Sequence, residues 1–175
     1  MRTAHIAAAL ERVTSVLQRR PETGLHDDAP ATARWDGGTR VVALHAKGHQ
    51  VPTDMPTEFG GTGDQVTPGW LFRAGVAACA TSSIALLAVR DGIELGALEV
   101  RAVSRSDSRG MLGMAEADGT PVSAAPGDFQ LHVRIAADGV APERLRALVE
   151  RGVRCSPIPN AVQQALPIAL HVDLD

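Results

Sequence analysis

Thr67-Pro68-Gly69-Trp70-Leu71-Phe72-Arg73-Ala74-Gly75-Val76-Ala77-Ala78-Cys79-Ala80-Thr81-Ser82-Ser83-Ile84-Ala85-Leu86-Leu87-Ala88-Val89-Arg90-Asp91-Gly92 is the stretch on which the reading of this chain turns. Thr67 suits an N-cap, where its hydroxyl accepts a free N–H of the first turn, and Pro68 suits the first helical position, where no N–H is needed. Gly92 is a natural stop. The pattern predicts a helix over 68–91. Its residues 74–89 carry no charge, a run shorter than the roughly 20 apolar residues of a membrane span. A helix that is apolar nearly all round must be covered on most sides. Gly75, Ala78, Cys79, Ser82 and Ala85 form a stripe of small side chains that lets a second helix come close. One sheet covers one side only, so a second copy of the chain is expected on the other. The competing arrangement is a monomer whose helix at 142–151 covers the stripe.

Outward from this helix, the flanking segments alternate between strands and shorter helices. Ile6, Leu10, Val13 and Leu17 recur at spacings of three and four, which predicts an amphipathic helix over 4–20, closed by Pro21. A polar connector at 22–30 leads to a β-hairpin over 31–47. Its turn is Asp36-Gly37-Gly38 and its returning strand begins at Arg40. A short strand is expected at 49–53. The loop Phe59-Gly60-Gly61-Thr62-Gly63-Asp64 lacks the Gly-Lys-Ser/Thr of a phosphate loop and reads as a flexible approach to the long helix.

Beyond the long helix, residues 98–103 alternate as a strand. Residues 104–127, rich in Ser, Gly, Asp and Pro, read as a long loop. Phe129, Leu131, Val133 and Ile135 alternate as a second strand. Pro142 opens a helix ending near Arg151-Gly152, a short helix follows Ser156-Pro157, and Ile168, Leu170, Val172 and Leu174 predict a closing strand. Strands without regular helical crossovers imply an α+β fold with an antiparallel sheet of five or six strands and helices on one face.

The whole composition suits one globular domain. The chain has 175 residues, 45% hydrophobic and 21% charged, with a net charge of −3. No block of Lys or Arg stands out, so no nucleic-acid partner is expected, because phosphate binding needs a concentrated basic face. The apolar run at 6–10 is broken by Glu11 and Arg12 and makes no export signal, so the expected setting is the reducing cytoplasm. Two cysteines, Cys79 and Cys155, are too few for a disulfide scaffold. Cys79 reads either as a small core side chain or as a reactive thiol with a nearby cation. Cys155 precedes Ser156-Pro157 and reads as lying at a helix N-terminus, where exposed N–H groups favour a thiolate. If the last helix packs on the central one, the two sulfurs meet, which suffices for peroxide reduction.

Other groupings are weaker. His45 and His49, four apart in an extended chain, lie about 13 Å from each other and cannot share an ion. No metal or cofactor is expected. Asp54 and Glu58 flank Pro56 and read as solvated charges. Ser82 and Ser83 have no positioned base.

The stretch from Phe59-Gly60-Gly61-Thr62-Gly63-Asp64 through Pro68 to Cys79 resembles the signature of the OsmC and organic hydroperoxide resistance family, a Gly-rich loop leading into a Pro-started helix with the reactive Cys. Arg154-Cys155-Ser156-Pro157-Ile158-Pro159-Asn160 resembles its second site, a Cys-Pro at a helix start. The resemblance spans about residues 30–175. It divides the chain into an N-terminal helical extension at 1–24 and an OsmC-like domain at 25–175. It implies an intertwined homodimer with antiparallel sheets wrapped around long central helices, and thiol-dependent reduction of organic hydroperoxides. In that scheme Cys79 attacks the peroxide, Cys155 resolves the product as a disulfide, Arg40 (with Arg34 second) favours the thiolate, and an external dithiol recycles the protein. Two positions depart from the family. Its Glu ten residues before the reactive Cys is Gly69 here, and its second Cys falls at Ser156, with Cys155 one residue early. These departures favour another reading, a non-catalytic protein that binds an apolar small molecule at the dimer interface; a thiol redox sensor or interaction partner is a third.

Overall fold

A computed structural model describes residues 3–164 and 166–174. Two compact units are present, Met1–Ala74 and Gly75–Asp175. The boundary falls within the long helix.

In the first unit, α1 (Ala4–Arg19) forms as its periodicity predicts, yet none of its residues is buried. Strands β1 (Ala31–Trp35), β2 (Val41–His45) and β3 (Gln50–Thr53) form an antiparallel sheet in the order β1-β2-β3. The turn between β1 and β2 needs its glycines: Gly37 and Gly38 have φ of 97° and 56°, a region that side chains with a Cβ avoid. Asp36 N–H donates to the Arg40 carbonyl at 2.9 Å and closes the hairpin. Between β2 and β3 the chain folds back so tightly that His45 N–H reaches the His49 carbonyl at 2.9 Å. The two imidazole centroids are therefore 5.8 Å apart, not at the separation of an extended chain. No cluster of three or more His, Cys, Asp or Glu suited to a metal occurs among the described residues.

Helix α2 (Pro68–Arg90) has the predicted ends. Thr67 Oγ1 accepts the Trp70 N–H at 3.1 Å, which is the N-cap. At the other end Gly92 (φ 67°) donates to the Val89 carbonyl and Ile93 N–H donates to that of Ala88 at 2.8 Å. This paired closure uses the left-handed residue to satisfy the last carbonyls and turns Ile93 back into the core. At 23 residues α2 is by length and composition long and apolar enough to cross a bilayer, a description that core helices also meet.

In the second unit, β4 (Ala97–Arg105) and β5 (Gly127–Ala136) pair antiparallel. The expected single sheet of five or six strands is thus two sheets, of three and two strands. Helices α4 (Pro142–Arg154) and α5 (Pro157–Gln164) follow the strands. The core is Ile84, Leu87, Ala88, Ile93 and Leu148, with Val100, Val133, Ile135 and Leu145 packed against it. Helix α4 touches α2 where Gly152 meets Ile84: a Cβ on residue 152 would sit 2.4 Å from Ile84 Cγ1, so only glycine permits this approach.

Two expectations need correction. Residues 104–127 are not a plain loop. They hold the short helix α3 (Ser108–Met111), a bridge between Ala115 and Pro121, and an Arg109 guanidinium shared by Asp107 and Glu116. The closing strand is not formed: residues 166–174 have no regular structure, and Ile168, Leu170, Val172 and Leu174 are all exposed. Their alternation is a strand pattern, but a strand needs a partner edge for its backbone groups, and among the described residues this segment pairs with none.

Candidate functional site

Cys79 is half-buried in the middle of α2, one residue before the fully buried Ala80. The group that meets it is Ser156, whose Oγ donates to Cys79 Sγ at 3.1 Å. Ser156 has 0% of its surface exposed, and among the described residues the sulfur is the directed partner of its hydroxyl. A hydroxyl donor at a sulfur can hold negative charge as that sulfur reacts.

The corner between α4 and α5 aims Ser156. Cys155 N–H donates to the Arg151 carbonyl at 3.0 Å and Ser156 N–H to that of Val153 at 3.1 Å, so the last turn of α4 carries on to residue 156. Asn160, on the first turn of α5, reaches back. Its Nδ2 donates to the carbonyls of Arg154 at 2.8 Å and Ser156 at 2.7 Å. Cys155 is consequently the exposed C-cap of α4, two residues before Pro157 opens α5, and so stands at the junction of both helices. Both cysteines are free thiols, and among the described residues no hydrogen bond joins them. The one-residue offset from the expected Cys-Pro spacing therefore has a plain consequence: the side chain turned toward Cys79 is Ser156, and that of Cys155 faces outward.

Beside this pair lies a cleft of about 490 Å³, within the size range of small-molecule sites. Phe129, Leu131 and Val133 of β5 face Val149 and Val153 of α4 across it, and Glu150, Arg154 and Gln163 add polar groups. Val76, one turn before Cys79, and Pro159, one turn into α5, also border it. Cys79 itself is not among the lining residues.

In the first unit a separate polar cluster surrounds Arg40. Its Nη2 donates to both oxygens of Asp64 at 2.9 Å and to Thr62 Oγ1 at 3.0 Å. Asp54, at 1% exposure, is not a solvated charge. Its Oδ1 accepts from Thr39 Oγ1 at 2.6 Å and the Met55 N–H at 2.8 Å, and its Oδ2 accepts from the N–H and hydroxyl of Thr62 at 2.9 and 2.8 Å. The Thr39 hydroxyl above all, then Thr62, holds this carboxyl well below the usual carboxylate range, against the opposing effect of burial. Asp64 is likewise held low, by the Thr62 hydroxyl and then by Arg40, and Arg40 is raised by Asp64. These bonds pin the Gly-rich loop to the base of the hairpin. Gly61 completes the fit, since a Cβ there would fall 1.7 Å from the Met55 carbonyl oxygen. The loop is therefore a fastened turn, not the flexible approach that its glycines suggested. Arg34 lies on β1 opposite Val42. Gly69 leaves the expected carboxylate position empty of any side chain, and a Cβ there would lie 3.7 Å from Arg73 Nη1.

The elements define an α+β protein with antiparallel sheets and a thiol on a long apolar helix, answered by a buried hydroxyl. The chain belongs to the OsmC-like protein family, whose sequence model matches residues 61–171. Solved structures agree on the fold. An OsmC-like protein from Mycoplasma pneumoniae is 17% identical with a TM-score of 0.65, the match covering 79% of this chain and 89% of that one. An organic hydroperoxide resistance protein OsmC from Legionella pneumophila is 26% identical with a TM-score of 0.53, covering 79% and 91%. An organic hydroperoxide resistance protein from Elizabethkingia anophelis is 25% identical with a TM-score of 0.54, covering 79% and 90%. No curated protein matches the sequence.

Proposed function

We propose that this chain reduces organic hydroperoxides at Cys79, using an external dithiol. The observation that carries the reading is the Ser156 Oγ–Cys79 Sγ contact of 3.1 Å, which gives the sulfur a directed donor from a fully buried hydroxyl. The apolar cleft bordered by Val76 offers room for the organic part of such a substrate. The names of the Legionella and Elizabethkingia proteins point to the same chemistry. In this reading the sulfur attacks the O–O bond, becomes a sulfenic acid and releases an alcohol. Arg40, which Asp64 orients within the first unit, is the cation proposed to favour the thiolate. Two routes close the cycle: attack by the Cys155 thiol to give a disulfide, or direct attack by the dithiol.

The working form is proposed to be an intertwined homodimer in the cytoplasm, with residues 1–24 as an appended helix and with neither nucleic acid nor membrane as partner. Gly75, Ala78 and Ser82, on the small-residue stripe of α2, are exposed in the single chain, as a helix awaiting a second copy would leave them. A second reading, an apolar-ligand binder with no turnover, is favoured by Gly69, which brings no carboxylate to the helix start. The two separate in a steady-state assay with cumene hydroperoxide and dithiothreitol. Consumption that saturates with hydroperoxide and scales with protein supports the enzyme. Consumption no faster than buffer sinks it and leaves the binder.

A further inference from the structure

Resting on the hydroperoxide reading of Cys79, we infer that Ser156 takes the place of a resolving thiol. Cys79 works as a single-cysteine centre, its oxidised form is a sulfenic acid held by the Ser156 hydroxyl, and an external dithiol, not Cys155, returns it to the thiol.

The argument is geometric. A disulfide requires Cβ atoms about 3.5–4.5 Å apart, with the side chains directed toward each other. Position 156 is the one turned toward Cys79, and it holds a hydroxyl that cannot form that bond. Cys155 is its exposed neighbour. Bringing the Cys155 sulfur inward would require the corner to rotate. Four backbone carbonyls hold that corner: Arg151 and Val153 accept from the N–H groups of Cys155 and Ser156, and Arg154 and Ser156 accept from Asn160. Gly152, pressed against Ile84, leaves α4 no slack just before it. Ser156 is also completely buried, so the same rotation would break the bond of its hydroxyl to the Cys79 sulfur.

The steps balance. The Cys79 sulfur attacks the terminal oxygen of R–O–O–H. An S–O bond forms, the O–O bond breaks, and the thiol proton ends on the departing alkoxide, giving Cys79–SOH and ROH. Sulfur gives up two electrons and the peroxide takes them. One thiol of the dithiol then attacks the sulfenic sulfur, forming a mixed disulfide and releasing water. Its second thiol displaces Cys79 as the free thiol and leaves as the cyclic disulfide. Ser156 donates to sulfur before the attack and stays beside the new S–OH afterwards, where its oxygen can accept that proton.

Intact mass and thiol titration after one equivalent of cumene hydroperoxide, without reductant, test this on the full chain. The expected product gains one oxygen, located on Cys79 by a sulfenic-acid trap, and keeps one titratable thiol, located on Cys155. Loss of two hydrogens with no titratable thiol left would overturn the inference while keeping the hydroperoxide reading. An unchanged mass would defeat that reading and the inference with it. The Ser156→Cys protein is expected to switch to the two-hydrogen loss, because its new thiol stands where the hydroxyl stood. Accumulation of the oxygen adduct in that variant would also count against the inference.

Discussion

Asp54 sits with 1% of its surface exposed, and both of its oxygens accept two hydrogen bonds. A charge can be buried at this position because its donors are already in place. In the Asp54→Asn protein an amide NH₂ would replace one oxygen and face donors from Thr39 and Met55 or from Thr62. Its melting temperature is expected to fall below that of the parent at neutral pH by thermal unfolding. An unchanged melting temperature would mean that the cluster holds nothing together. The sign of the pH effect follows from the direction of the shifts. Asp54, Asp64 and Asp107 are all held below their ordinary values. Their stabilisation is complete above the unfolded-chain value of about 4 and is lost as the pH falls below it toward the lowered folded values. The parent should therefore lose melting temperature in acid, and Asp54→Asn should lose less. None of this was legible in the sequence around Asp54, because its partners come from Thr39, fifteen residues back, and Thr62, eight residues on. The Ser156 contact was half-legible. The family spacing marks position 156 as the partner of Cys79, but only the corner geometry says that Cys155 faces outward.

At the scale of elements, the crossing of α4 over α2 does the positioning. Gly152 lies against Ile84, and the same helix ends two residues later at Arg154, just before the corner that holds Ser156. In Gly152→Ala the added methyl group has no room and must push the helices apart. The expected cost is about 1–3 kcal/mol in denaturant unfolding. A matching loss of hydroperoxide turnover is expected as Ser156 draws away from the sulfur. Stability equal to the parent's would contradict so close an approach. Helix α2 itself was readable almost to the residue, since Thr67, Pro68 and Gly92 are local signals that act within one turn. Residues 104–127 were not. Their order depends on Arg109 bridging Asp107 and Glu116, and on Gly110, where a Cβ would lie 2.2 Å from the Ser123 carbonyl oxygen. Composition does not encode these contacts.

At the scale of the whole molecule, the second unit leaves apolar and small side chains exposed on α2 and on its last residues. The buried face of α2 runs through Val76, Ala80, Ile84 and Leu87, while Ala78, Ser82 and Leu86 on other faces are exposed. Residues 166–174 expose four alternating apolar side chains. The proposed homodimer would cover such surface, and sedimentation equilibrium should then return roughly twice the chain mass of 18.3 kDa. The Ser82→Arg protein should return the mass of one chain. A parent sedimenting as one chain would refute the dimer. The alternating pattern at 168–174 promised a strand, but alternation says which face is apolar and nothing about which edge receives it. For the same reason the sequence supported an α+β fold yet not its division into sheets of three and two strands.

The most direct test compares cumene hydroperoxide turnover by the parent and by Cys79→Ser, with dithiothreitol as reductant and far-ultraviolet circular dichroism to confirm that both are folded. Substitution of the attacking sulfur by a hydroxyl is expected to lower turnover to the protein-free rate. Turnover retained by folded Cys79→Ser would contradict the account at its centre.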